Sequence, residues 1–165
     1  MRWGLKAAVR LFAPRHHVGA VAAVFDDAGK VLLVEHVFRT DHPWGLPGGW
    51  VDPREAPIGT VQREIQEELQ MQIDVRALLC VERIAPTVMA NHPSHLGLAY
   101  YARLLSAGQA TPSGEILSSK WVEPGEIEED LSPFQRQAIV AGRALFDRER
   151  AASEERPASG RGVRL

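Results

Sequence analysis

Three glutamates, Glu64, Glu67 and Glu68, stand at positions i, i+3 and i+4 within the stretch PIGTVQREIQEEL, residues 57–69. Ile58, Val61, Ile65 and Leu69 recur there at spacings of three and four, which predicts a helix with one apolar face. Pro57 suits its first turn. The three carboxylates then share a neighbouring face. Like charges at these spacings cost about 0.2–0.5 kcal/mol per pair. Glu67 and Glu68 also fall in the last turn, where the helix dipole disfavours anions. Two readings are open. One is a solvated acidic face, the ordinary fate of a glutamate run. The other is a cluster offset by a cation, and a hard divalent metal, Mg²⁺ or Mn²⁺, matches carboxylate oxygens.

The residues just upstream must position that cluster. Leu46-Pro47-Gly48-Gly49 predicts a tight turn, because proline sets one central φ and glycine accepts a positive φ at the next. Glycine there also lets backbone carbonyls approach a bound ion. Glu55 and Arg63 carry opposite charges that would tie the loop to the helix.

Taken together, Gly49, Glu55 and the run Arg63-Glu64-Ile65-Gln66-Glu67-Glu68 resemble the Nudix box of the Nudix hydrolase family, in both residue type and fixed spacing. One position departs: Gln70 stands where the family carries a glycine after the helix. That glycine serves as a left-handed cap, so the change bears on the helix end rather than on the chemistry. The resemblance implies that Glu64, Glu67 and Glu68 bind Mg²⁺ or Mn²⁺, with the Gly48 carbonyl as a further ligand. It implies that Gly49, Glu55 and Arg63 are structural. The box covers about a seventh of the chain, and family-like features flank it on both sides.

The chain of 165 residues, 45% hydrophobic, suffices for one sizeable core and not for two full domains. A net charge of −2 gives no global basic field that would argue for nucleic acid. The single cysteine, Cys80, rules out an internal disulfide and fits a reducing, cytoplasmic compartment. It lies in the apolar run 77–81, which predicts a buried small hydrophobe. Apolar runs fall short of the ~20 residues of a membrane span.

Residues 1–17 are basic, with Arg2, Lys6, Arg10 and Arg15 and no acid. The segment reads as a short helix packed on the domain or on a second subunit, or as a weak membrane-surface element. A homodimer is thus a candidate assembly. The resemblance implies a Nudix hydrolase domain over residues 18–149, and residues 150–165 read as a disordered tail. Strands are expected at 18–25 and 31–35, joined as a hairpin, then at 73–85, 96–105 and 116–122. Ser132 caps a final helix with Pro133 at its first position. Loops 36–44 and 86–95 are placed to shape a substrate pocket. Arg39 in the first is either a phosphate clamp, since its fork matches phosphate oxygens, or a surface arginine. The loop histidines His36 and His42 lack a metal spacing. Trp44 and Trp50 flank the glycine turn, and either could stack on a base, although packing under the loop is the safer reading of Trp44.

The resemblance extends further. Pro86 stands near where ADP-sugar-cleaving members tend to carry a proline, and the tyrosine of some dinucleoside-polyphosphate members is absent. Glu115, six positions before Trp121, resembles an acid that reaches the metal from outside the box; otherwise it is an exposed turn residue. The implied fold is an α/β/α sandwich around a mixed sheet. The implied activity is hydrolysis of a pyrophosphate bond in a nucleoside diphosphate linked to another moiety: a nucleotide sugar such as ADP-ribose, a dinucleotide or a nucleoside triphosphate. The alternatives are a Nudix-like sensor module without catalysis, isomerisation of a diphosphate on the same fold, and RNA 5′-end hydrolysis. Cys80 argues against the isomerase. For RNA, the N-terminal stripe is the sole basic feature, so no nucleic-acid partner is expected.

Overall fold

The apolar run of β1 (His17–Phe25) makes it the spine of the molecule, because both of its faces are covered. Ala20, Ala22 and Val24 point to one layer, and Ala23 and Phe25 to the other. The computed structural model describes residues 16–37, 42–86, 94–106 and 115–155. Among these, β1 is followed by β2 (Val31–His36), β3 (Trp44–Gly45), β4 (Gly48–Trp50), α1 (Pro57–Leu69), β5 (Gln72–Ile84), β6 (His95–Ser106) and β7 (Ile116–Val122). A short 3₁₀ turn (Pro124–Glu126) and the long α2 (Pro133–Glu154) complete the order.

The strands form one mixed sheet in the order β3-β2-β1-β6-β5, with β4 on β1 and β7 on β2. β1 and β6 run parallel from His17↔His95 to Phe25↔Arg103, and the other pairings are antiparallel. Helix α1 covers one face through Val61, Ile65 and Leu69, all fully buried. Helix α2 covers the other through Phe134, Ala138, Ile139 and Phe146. The expected α/β/α sandwich is therefore the observed one.

One feature of the sheet fixes the site. β1 and β2 pair at Phe25↔Val31, and further along the strands β4 pairs with β1 and β3 with β2. The turn between β3 and β4 carries Leu46-Pro47. The Pro47 carbonyl accepts from the Ala22 N–H at 2.9 Å, and the Leu46 N–H donates to Gln135 Oε1 of α2 at 3.2 Å. The glycine turn is thus held by the sheet's central strand and by the far helix together.

Several expectations need correction. Ile58 is 44% exposed, so the apolar face of α1 narrows to three residues. Cys80 is only half-buried, because β5 is an edge strand whose Leu78 and Val81 face solvent. Helix α2 continues through Glu154, with Arg150 paired to Glu154 at 3.1 Å, so it reaches beyond the expected boundary at residue 150. The two-residue β3 and three-residue β4 were not foreseen. Ser132 caps α2 as expected, accepting from the Gln135 N–H. Trp44 packs beside the loop, with the Lys120 ammonium 4.1 Å from its ring centre. Arg39, residues 87–93 and the basic stripe of residues 1–15 lie outside the described residues.

Candidate active site

Gly48 carries the conformation that lets the turn enter the sheet. Its φ is +145°, and a Cβ there would lie 2.1 Å from the Ala20 carbonyl oxygen. Gly49 serves a different need: a Cβ on it would lie 2.5 Å from Glu64 Oε1. The first turns of α1 therefore lay the Glu64 carboxylate directly against the strand. Burial of Val61, Ile65 and Leu69 sets the rotation of the helix. It leaves Glu64 mostly covered at 19% exposure, Glu68 buried at 8%, and Glu67 in solvent at 60%.

The centre of the cluster is Arg63. Its Nε and Nη2 hold both oxygens of Glu55 at 3.2 and 3.1 Å, a fork-on-fork contact. Its Nη1 stands 3.0 Å from Glu64 Oε1 and 3.1 Å from Glu67 Oε2. A third group completes the arrangement: the fully buried Thr60 hydroxyl donates to Glu55 Oε2 at 2.7 Å. The Arg63 fork, then the Thr60 hydroxyl, hold the Glu55 carboxyl below the usual carboxylate range. The Glu55 carboxylate first, with Glu64 and Glu67 adding to it against the cost of burial, pushes Arg63 further up, so it is a permanent cation. The tie between Glu55 and Arg63 is the one expected. Thr60 was missed, since a threonine in a helix turn gives no sign that a loop glutamate will fold back on it.

Among the described residues Glu55, Glu64 and Glu67 thus share the Arg63 guanidinium. Among the described residues no three acidic, histidine or cysteine side chains stand in ligating geometry for a metal ion. The donor set nonetheless suits a hard divalent cation: carboxylate oxygens beside a strand with no side chain at Gly49 to bar an approach. Glu115 stands just before β7, and its carbonyl accepts from the Val37 N–H at 2.9 Å. It lies across β2 from the turn rather than on α1.

Outside the Glu55–Arg63 fork a cleft of about 720 Å³ is lined by Trp50, Val51, Asp52, Arg54, Glu55 and Arg63. Its size lies within the range of small-ligand sites.

Known proteins bear on this geometry. The pattern of the NUDIX domain matches residues 15–141. A CMP-5'-(N-acetyl-N-hydroxy-3-aminopropyl)phosphonate hydrolase from Streptomyces rubellomurinus is 35% identical over 129 residues, covering 76% of this chain and 60% of that one. The nucleoside diphosphate-linked moiety X motif 6 protein of Xenopus laevis is 36% identical over 83 residues, covering 50% of this chain and 36% of its own. The chain therefore spans between about a third and three fifths of these two relatives. A MutT NUDIX hydrolase from Burkholderia pseudomallei superposes with a TM-score of 0.66 at 27% identity, over 78% of this chain and 98% of the other. Sequence pattern and sheet architecture coincide on the same residues that build the box, and the chain belongs to the Nudix hydrolase family.

Proposed function

We propose that the chain is a divalent-metal-dependent hydrolase that cleaves a pyrophosphate bond in a nucleoside diphosphate linked to another moiety. The observation that carries this is the intact constellation of loop Glu55 with Arg63, Glu64 and Glu67 of α1, Glu64 pressed against Gly49, in a member of this family. Glu64, Glu67 and Glu68, with the Gly48 carbonyl, would hold Mg²⁺ or Mn²⁺. Glu115 joins them on the strength of its position before Trp121 alone. When bound, the cation neutralises the phosphate oxygens and makes water more acidic.

The protein's own residues do the rest. Arg63 Nη1 balances Glu64 and Glu67 while they await other positive charge, and the Glu55 fork keeps the guanidinium in place when it yields them. Glu64, or an acid on a neighbouring loop, accepts the proton of the attacking water. Water adds to phosphorus as the bridging anhydride P–O bond breaks, releasing a nucleoside monophosphate and a phosphorylated remainder. Arg39 is proposed as a phosphate clamp by the chemistry of its fork. The single cysteine supports a reducing, cytoplasmic setting.

The test is a panel of ADP-ribose, NADH, diadenosine polyphosphates, UDP- and GDP-sugars and nucleoside triphosphates with Mg²⁺ or Mn²⁺, products resolved by chromatography. One or more should be cleaved, and Glu67→Gln should lower turnover by roughly 10²-fold or more. Equal metal-dependent turnover by Glu67→Gln would sink the assignment of the site. No turnover of any substrate by folded, metal-binding protein would favour a sensor module instead.

A further inference from the structure

Trp50 is the only aromatic among the described residues that the fold leaves substantially open, at 43% exposure. Exposure alone is ordinary, but three observations set this indole apart. First, it lines the 720 Å³ cleft together with Arg63 and Glu55 of the box, and Arg63 in turn contacts Glu64 and Glu67. Second, two imidazoles pack against it. His95 meets it edge-on at 4.8 Å and 74°, and His17 at 5.9 Å and 69°. These two histidines are register partners across β1 and β6, and Gly19, opposite Trp50 on β1, has both His95 and Trp50 within 4 Å of where its Cβ would be. Third, the cleft contains a cation that the box does not use. Arg54 is almost wholly in solvent, and its Nε meets Asp52 at 3.6 Å, the long end of an ion pair.

A half-open indole packed against two imidazoles, beside an accessible guanidinium, matches a flat ring joined to a phosphate. Stacking suits this task because every nucleobase has a π-face, and holding the indole in advance reduces the ordering cost of binding. We propose that Trp50 is the platform on which the base of the substrate stacks, with Arg54 as a counter-charge to its phosphates. The substrate class rests on the hydrolase reading above; the base-dependent binding does not require turnover. Trp50 would thus set affinity for the nucleoside end, while the box acts on the phosphates.

The experiment uses the full chain with AMP, GMP, CMP and UMP as probes and ribose 5-phosphate as the probe without a base. Calorimetry gives affinity and intrinsic fluorescence reports the indole. At least one monophosphate should quench the wild-type protein, and the quench should vanish in Trp50→Phe while binding stays within a few-fold. Trp50→Ala should weaken that monophosphate roughly tenfold and leave ribose 5-phosphate unchanged. Arg54→Ala should weaken both. With the substrate found by the panel, Trp50→Ala should raise KM more than it lowers kcat. The proposal is overturned if ribose 5-phosphate binds the wild type as tightly as every monophosphate, or if folded Trp50→Ala binds like the wild type. Base-dependent binding at Trp50 without turnover of any substrate would uphold this inference and defeat the hydrolase reading.

Discussion

Substituting Gly49 by alanine separates the chemistry of the site from the stability of the fold. A Cβ at this position would stand 2.5 Å from Glu64 Oε1 and 2.6 Å from its Cδ. Ordinary contact begins at 3.4 Å, so one side must give by about 0.9 Å. Gly49 sits in paired β4 and its φ is not positive, so alanine meets no backbone strain. The obstructing atoms are the end of a flexible side chain, and the carboxylate is what moves. Displacement by that amount also strains the 3.0 Å contact to Arg63 Nη1. A shift of about 1 Å in a reacting group costs on the order of 10²-fold in rate, or about 2.7 kcal/mol of barrier. Stability should change by less than about 1 kcal/mol, because alanine restricts the unfolded chain by a comparable amount in the opposite sense. At this chain length that is a Tm shift of about 2–4 °C at most. Gly48→Ala makes the contrast. Its Cβ would meet the Ala20 carbonyl oxygen at 2.1 Å and the Val21 Cα at 2.7 Å, backbone atoms that cannot swing away, at a φ of +145°. That variant should lose on the order of 3 kcal/mol of stability. Calorimetric Tm and steady-state turnover on the panel's best substrate check both. Full turnover by Gly49→Ala would refute the importance of Glu64's position, and a collapsed Tm would refute the elastic account of the clash.

Two further substitutions probe the ends of the box. Gln70 adopts the left-handed conformation at φ 54° and donates its N–H to the Gln66 carbonyl at 3.1 Å. That conformation costs a non-glycine residue about 1–2 kcal/mol and glycine's extra entropy returns about 0.5–1, so Gln70→Gly should raise Tm by about 2–3 °C with turnover unchanged; a lower Tm would sink this account of the cap. The Glu55 carboxyl lies below its ordinary 4.5 in the folded state, chiefly through Arg63. Its stabilising contribution is therefore complete above about pH 5 and is lost as pH falls through the lowered value. Glu55→Gln should be less stable than the wild type at neutral pH, and the gap should narrow as the buffer is taken from about pH 5 towards pH 3. A gap that stays constant or widens on acidification would refute the role assigned to the Arg63 fork.

What could be read in advance was set by interactions of short range along the chain. The Pro-Gly-Gly turn, the helix period, the Ser132 cap and the Glu55–Arg63 tie all join residues within a few turns of one another. Fixed spacing in one such stretch was enough to reach the family and, through it, the sandwich. The misses are long-range. Ile58 fits the helical period but stands in the first turn of α1 and is left 44% exposed. Cys80 follows from an apolar run, yet a strand's burial depends on its place in the sheet, and β5 falls at the edge. The histidines that grip Trp50 come from β1 and β6, which are brought together by a parallel pairing across some 78 residues of chain.

The glutamate cluster shows how one local argument can admit two cations. Its like charges do require a cation, and the cation in contact with Glu64 and Glu67 is Arg63, adjacent to Glu64 in sequence and one turn before Glu67. Arg63 and an incoming divalent ion would compete for the same carboxylate oxygens. Glu55, with Thr60 behind it, then has a definite purpose: it gives the guanidinium a third anion through two separate nitrogens, so that yielding Nη1 leaves no unpaired charge. A loop glutamate outside the proposed metal-ligand set would in this way lower the cost of loading the site. The box joins its loop to its helix because the charge balance on one depends on the other.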